Sequence, residues 1–443
     1  MKSNATRGRM RGTLLASAAM TALLALAGCA STDAGADVKA TFTPAAQDGG
    51  STITVWVDAT RQPAVESYKK AHPNAKIKVV TYDTGSFQTK IALLDKAGSG
   101  WPDVVFSQAL TDLGWATSGA HPFAAPLDQG IFPADKIKQF APTALDPCTA
   151  NGTLYCVRND LAQNVLWYNK TLLDQFGYSV PTTWEDYQAL GEKVAKEHPG
   201  YVIGSVGDSF AANEYFWGAK CPANTLNGTD FSSDLTAPEC TKMAKLLDTM
   251  IANGSVTKDP VFGTSYPATH GDKTLMLVGP SWFGQYVFNS SLKTPAGQIA
   301  AAAPLAWDGQ KAATGSVGGG VWYISSHSTN LKASSALVDW LTTSDDNQAS
   351  APTYPAYAPA AKAWLANPAN TDYFADDVSE PFATAAAQVW DGWSGISRAD
   401  PSVSWGSLVV PALTSGKTIT ETLPAWQTEI LNKASSVGYT VKK

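Results

Sequence analysis

Apolar positions along the chain switch between two periods. Residues 52–57 (TITVWV) predict a strand, and Ala64, Val65, Tyr68 and Ala71 follow at helical spacing. Residues 76–82 (KIKVVTY) predict a second strand. Ser86 stands where a cap would open a helix carrying Phe87, Ile91 and Leu94 on one face. A third strand, residues 103–107 (DVVFS), comes after the Trp101-Pro102 break. Strands at 165–168, 274–278 and 321–325 extend the alternation. Helical faces recur at Trp184, Tyr187, Leu190 and Val194, at Met243, Leu246, Leu247 and Met250, and at Ala336, Leu337, Trp340 and Leu341. A last helix presents Leu423, Trp426 and Ile430, and Thr182 with Glu185 has the spacing of a capping box. Strands alternating with helices predict an α/β fold on a parallel sheet covered on both faces.

A chain of 443 residues exceeds the size at which one core keeps growing, so two lobes are expected. Only 16% of residues are charged and the formal net charge is −6, which gives no basic face for nucleic acid. Trp, Tyr and Phe occur 15 times each. So high a share of Trp calls for either a ring-rich core or stacking surfaces for a ligand.

The first residues read as an address. Lys2, Arg7, Arg9 and Arg11 precede a small, apolar run at 13–27 that is too short for a good membrane span and has the flanks of a secretion signal. It ends in Leu26-Ala27-Gly28-Cys29, which resembles the lipobox of bacterial lipoproteins. The resemblance implies a signal peptide over 1–28, lipid on Cys29 and a membrane-anchored, extracytoplasmic protein. Residues 29–50, rich in Ala, Thr, Asp and Gly, predict a flexible tether. Cys148, Cys156, Cys221 and Cys240 remain, an even number suited to disulfides in an exported chain. Of three possible pairings, Cys148–Cys156 and Cys221–Cys240 close the smallest loops. The absence of Cys-x-x-Cys and the scatter of the five His argue against a metal site. No cofactor is expected.

Several segments then resemble, in order, the extracellular solute-binding proteins of ABC importers, in the sugar-binding, maltose-binding-protein-like branch. These are TITVWV with its helix, Trp101-Pro102-Asp103-Val104-Val105, Asn151-Gly152-Thr153-Leu154-Tyr155 and Trp167-Tyr168-Asn169-Lys170. Pro181-Thr182-Thr183-Trp184-Glu185, Asp272-Lys273-Thr274-Leu275-Met276, Gly279-Pro280-Ser281-Trp282 and the Gly318-Gly319 segment complete the series. Two departures stand near the expected site. Cys156-Val157-Arg158-Asn159-Asp160 replaces a proline-containing segment, and Ser281 is inserted before Trp282. The resemblance implies a two-lobed fold, each lobe a sheet flanked by helices, with the ligand in the cleft between them. The lobes are expected at 51–160 plus 313–358 and at 161–312 plus 359–443. It also implies a carbohydrate ligand, ABC permease partners and a monomer that is not an enzyme.

A sugar needs flat rings for its C–H face and matched polar groups for its hydroxyl edge. Trp282 follows Gly-Pro-Ser at a strand end, where the family's matching residue stacks on sugar. Trp405 aligns with a family aromatic before a C-terminal helix. Tyr215 and Trp217 lie in Asn213-Glu214-Tyr215-Phe216-Trp217, which resembles an aromatic cleft loop. Asp58 ends the first strand, Ser107 and Gln108 end the third, and Asp160 and Asn164 precede the crossover. Gly318 and Gly319 would let backbone approach a ligand closely. A secreted glycoside hydrolase is the enzymatic rival, but no motif singles out its pair of carboxylates ~5–9.5 Å apart. G-x-S-x-G, H-E-x-x-H and a phosphate loop are all missing. An adhesion protein would show repeated all-β modules. A receptor for peptide or polyamine would share the architecture.

Overall fold

A computed structural model describes residues 41–395 and 397–442. The signal segment 1–28, Cys29 and the tether up to residue 40 lie outside the described residues. Within the described part of the tether, Gln47 and Asp48 are bonded to the body. Asp48 N–H donates to the Thr329 carbonyl at 2.6 Å, and the Gln47 side-chain oxygen accepts from Leu331 N–H at 2.9 Å.

Two sheets organise the chain. The first has strands in the order 77–81, 53–57, 104–107, 321–324 and 156–158. Its first three strands are parallel, with Val55 opposite both Val79 and Val104. Strand Val321–Ile324 runs antiparallel to both of its neighbours, placing Trp322 opposite Phe106 and Val157. The second sheet is wholly antiparallel: Asn164–Asn169 lies between Met276–Pro280 and Ile299–Ala302. The all-parallel expectation therefore holds only for the first βαβαβ run. Strand 321–324, where the chain returns from the second sheet, runs the other way, and 156–158 beyond it again points along the first three.

The apolar periods did their expected work. Helix Gln62–Ala71 buries Val65 and Tyr68, and Phe87–Ala97 buries Phe87 and Ile91. Helix Trp184–Glu197 buries Trp184, Tyr187 and Val194 against Pro238–Asn253, which buries Met243, Leu246, Leu247 and Met250. The cap of helix Trp184–Glu197 is shifted by one residue from the expected box. Thr183, not Thr182, accepts from Asp186 N–H at 3.0 Å, and Glu185 turns out to Lys242 at 2.7 Å. The full capping box belongs to Ile419–Ser436, where Thr418 and Glu421 satisfy each other's backbone N–H groups.

Two apolar clusters form: the first takes in the first sheet and one face of the second, through Val165, Trp167, Leu277 and Ile299, and the second takes the other face, through Leu166, Met276 and Val278. Residues 360–385 add Ala360, Trp364 and Phe382 to the first cluster although the sequence places them with the second lobe. Phe382 shows how: its ring sits 5.3 Å from Tyr354 and 5.7 Å from Trp167, both members of that cluster. Both expected disulfides form, Cys148–Cys156 with Cα atoms 5.0 Å apart and Cys221–Cys240 with 4.7 Å. No helix among the described residues is long and apolar enough to cross a membrane.

One buried polar network lies at the end of the third strand. Asp112 accepts from the Ser107 hydroxyl and from the Gln88 amide at 3.2 Å. Burial dominates over these bonds and pushes the carboxyl up to about 6, with Asp400 adding to the rise. Because the folded state then holds this proton more tightly than the unfolded chain, the contribution is full below pH 3.8 and is lost as pH rises through about 6. Asp112→Asn should therefore gain stability relative to the parent between pH 4 and 7. The gain should be at most about 3 kcal/mol by the linkage rule, read from urea titrations at each pH. Thr418→Ala should cost about 1 kcal/mol in the same assay through loss of the cap.

Candidate functional site

The parallel strands 53–57 and 104–107 end on the same side of the first sheet, where open α/β sheets bind ligands. The loops after them carry Arg61 and Gln108. Two crossover segments, residues 159–164 and 313–320, join the sheets and touch through the pair Gln163 and Ser316. Against this frame lies a groove of about 400 Å³. One wall is Thr60, Arg61 and Gln108, and the opposite wall is Phe210, Phe262, Trp282 and Tyr286. Asp160, residues 317–320 and Thr353 complete the lining.

The turn carrying Trp282 is pinned to the crossover by the inserted residue. Ser281 donates its hydroxyl to the Leu161 carbonyl at 2.9 Å and its N–H to the Gln163 carbonyl at 3.0 Å. The Trp282 indole N–H donates to the Val317 carbonyl at 2.9 Å, so its polar edge is used and its apolar faces are left for other contacts. Phe262 lies 5.9 Å from that ring and Phe210 6.2 Å, edge-on. Phe262 is 45% exposed, an unusual position for a phenyl ring unless something covers it.

The facing wall is polar and braced. Asp58 accepts from Arg61 N–H at 2.7 Å, from the Arg61 guanidinium at 3.2 Å and from the Gln108 amide at 2.9 Å. The guanidinium also lies over the Phe106 ring at 4.7 Å. Across the groove, burial raises the Tyr286 pKa. The charge of Arg61 opposes that rise, while Asp160 and Asp58 support it.

Under the groove lies Arg158, fully buried. Burial lowers its pKa to about 10 against the pull of Asp160, so it stays cationic at neutral pH. Its guanidinium donates to the Gly318 carbonyl at 3.3 Å. Gly319 has φ +82°, and a Cβ there would stand 1.7 Å from the guanidinium. That position therefore needs glycine twice over, for its backbone angle and for its missing side chain.

The structure gathers Trp282, Gln108, Asp160, Gly318 and Gly319 on this groove. The other sequence candidates lie elsewhere. Asp58 stands behind the wall as the brace for Arg61 and Gln108. Ser107 is buried because its hydroxyl serves Asp112. Asn164 is buried in the crossover, donating to the Asn213 carbonyl at 2.9 Å. Tyr215 is packed beside Trp184 in the second apolar cluster. Trp405 is 0% exposed, with Phe216 at 5.4 Å, Trp426 at 5.0 Å and its N–H on the Val206 carbonyl, so it is a core residue. Trp217 lines a different cavity. Sequence reasoning missed Arg61, Phe210, Phe262 and Tyr286. For Phe262 a signal existed: it is a lone aromatic in the loop Asp259-Pro260-Val261-Phe262-Gly263, with no apolar period to bury it.

The chain is 28% identical to an arabinooligosaccharide-binding protein of Bacillus subtilis (strain 168) over 138 residues, 30% of this chain and 31% of that protein. The chain spans less than a third of the length of the curated relatives it matches. Solved structures match over far more. The ABC transporter associated binding protein from B. animalis subsp. lactis Bl-04, in complex with beta-1,6-galactobiose, superposes with a TM-score of 0.72 at 21% identity. That match covers 88% of this chain and 99% of the other. The galacto-N-biose-/lacto-N-biose I-binding protein of the ABC transporter from Bifidobacterium longum gives 0.72 at 18% identity, over 89% and 100%. These likenesses establish the two-lobed, type II binding-protein fold. Residues 63–378, the greater part of the chain, match the bacterial extracellular solute-binding protein family, and the chain belongs to it.

Proposed function

We propose that this protein is the substrate-binding lipoprotein of an ABC importer, which captures a mono- or oligosaccharide and delivers it unaltered to the membrane permeases. The observation that carries the reading is the groove with Trp282, Phe262 and Phe210 on one wall and Arg61 and Gln108 on the other. Indole and phenyl faces suit the C–H face of a pyranose or furanose, and the facing amide and guanidinium suit its hydroxyl edge. The ligands of a relative and a structural neighbour, arabinooligosaccharide and β-1,6-galactobiose, support a sugar over a peptide or polyamine. Anchoring through Cys29 would keep the body at the outer face of the membrane, where monomers meet the permeases.

Binding draws the two walls together about the crossover segments. The ligand favours closure only by the difference in its affinity for the closed and open forms, so contacts made from both lobes at once supply the driving force.

Trp282→Ala should weaken binding of the cognate sugar at least tenfold, about 1.4 kcal/mol, in calorimetry. Its thermal melting should stay close to the parent's, since the ring is only half-buried. Unchanged affinity would remove Trp282 from the site. After prolonged incubation at neutral pH the bound oligosaccharide should be recovered intact by chromatography. Appearance of shorter products would point to the hydrolase instead.

A further inference from the structure

Phe210 and Phe262 reach the groove on two segments that run side by side. Short strands Gly204–Ser205 and Val256–Thr257 pair in parallel, with Thr257 opposite Ser205. Val206 N–H extends the pairing by donating to the Thr257 carbonyl at 2.9 Å. Each segment then turns. The Asp208 carbonyl accepts from Ala211 N–H at 3.2 Å around the turn that carries Phe210, and the Pro260 carbonyl accepts from Gly263 N–H at 2.8 Å around the turn that carries Phe262. The two rings meet edge-on, 6.1 Å apart at 88°.

Three neighbouring residues of the first segment fasten the second. The Ser205 hydroxyl donates to the Asp259 carbonyl at 2.7 Å. Gly207 lets the two backbones close on each other: a Cβ there would stand 2.4 Å from the Lys258 carbonyl oxygen and 2.5 Å from the Pro260 nitrogen. Both are main-chain atoms that cannot swing aside. Asp208 then reaches into the second turn. That turn's own hydrogen bond uses Gly263 N–H and leaves those of Val261 and Phe262 over. The Asp208 carboxylate takes both, Val261 N–H at 2.6 Å and Phe262 N–H beside it. Burial raises the Asp208 pKa, and these two bonds oppose the rise. Val261 is 3% exposed, so one side chain of the turn is anchored inward while the other, Phe262, faces out.

A ring on a free loop must be ordered when a ligand arrives, and that ordering is subtracted from the affinity. A ring held in place beforehand avoids the cost. Asp208 is not itself part of the groove lining. We infer that Asp208 is a positioning residue for ligand binding: its carboxylate clips the turn Pro260–Gly263 so that Phe262 is held beside Phe210 and Trp282 before the ligand enters. This role rests on the reading of the groove as the ligand site.

Two measurements test it, one without any ligand. Amide hydrogen exchange should show Val261 and Phe262 protected in the parent and unprotected in Asp208→Ala. Asp208→Asn should keep the greater part of that protection, since its amide oxygen still accepts. The second measurement is calorimetric affinity for β-1,6-galactobiose, maltotetraose and arabinotriose in a double-mutant cycle. Phe262→Ala and Asp208→Ala should each weaken the best-bound probe about tenfold, and the double variant should be no weaker than either alone, because one residue acts through the other. Asp208→Asn should recover most of the affinity. Gly207→Ala, which forces the same junction apart and leaves the carboxylate in place, should match Asp208→Ala and can replace it in the cycle if that variant does not fold. Losses that add in the double variant would reduce Asp208 to a general structural role and leave the groove's function standing. So would Phe262→Ala weakened beside Asp208→Ala unchanged. Phe262→Ala binding as tightly as the parent would overturn the groove's aromatic wall and the positioning role with it. No heat with any probe in the parent would overturn the sugar reading, and the exchange result alone would then decide whether Asp208 fixes the turn.

Discussion

A single cation, Arg158, sets the terms at the junction of the lobes. A guanidinium denied water must find acceptors in the protein, because an uncompensated buried charge is among the costliest features a fold can carry. Here the Gly318 carbonyl and the charge of Asp160 supply that compensation, while the missing side chain at Gly319 supplies the room. The residues that surround the cation are those that shape the groove. Strand Cys156–Arg158 must therefore sit against Val321–Ile324, which fixes the edge of the first sheet and the point where the chain leaves for the second.

The elements were largely legible because period and burial coincide in them. Val65 with Tyr68, Phe87 with Ile91, and Leu423, Trp426 with Ile430 all face inward at the spacing the sequence displays. Strand direction was not legible, since an apolar run such as Val321–Ile324 reads the same whichever way it is paired. The cap at Thr183 was missed by one residue because two threonines precede Trp184 and only backbone geometry chooses between them.

The groove lining was legible where a sequence signal marks a strand end, as for Gln108 and Trp282. They were not legible where two identical side chains have opposite fates. Trp405 and Trp282 both follow serine near a glycine, yet one is sealed among Phe216 and Trp426 and the other stands open beside Phe262. Nothing local separates them; the difference lies in which elements fold over each ring. Asp58 and Ser107 failed as lining residues for a related reason. A short polar side chain at a strand end can brace its neighbours as readily as it can reach a guest, and here Arg61, Gln108 and Asp112 claim them.

The two disulfides have a bearing on where the molecule can mature. Cys148 sits between Pro147 and Thr149 on one wall of the cavity that Trp217 lines, and Cys221 closes the turn just after Trp217 on another. Cross-links of this kind do not persist where glutathione keeps thiols reduced. A chain held back in the cytoplasm would have both sheets but slack margins around that chamber. Passage across the membrane thus acts as a finishing step as well as a change of address.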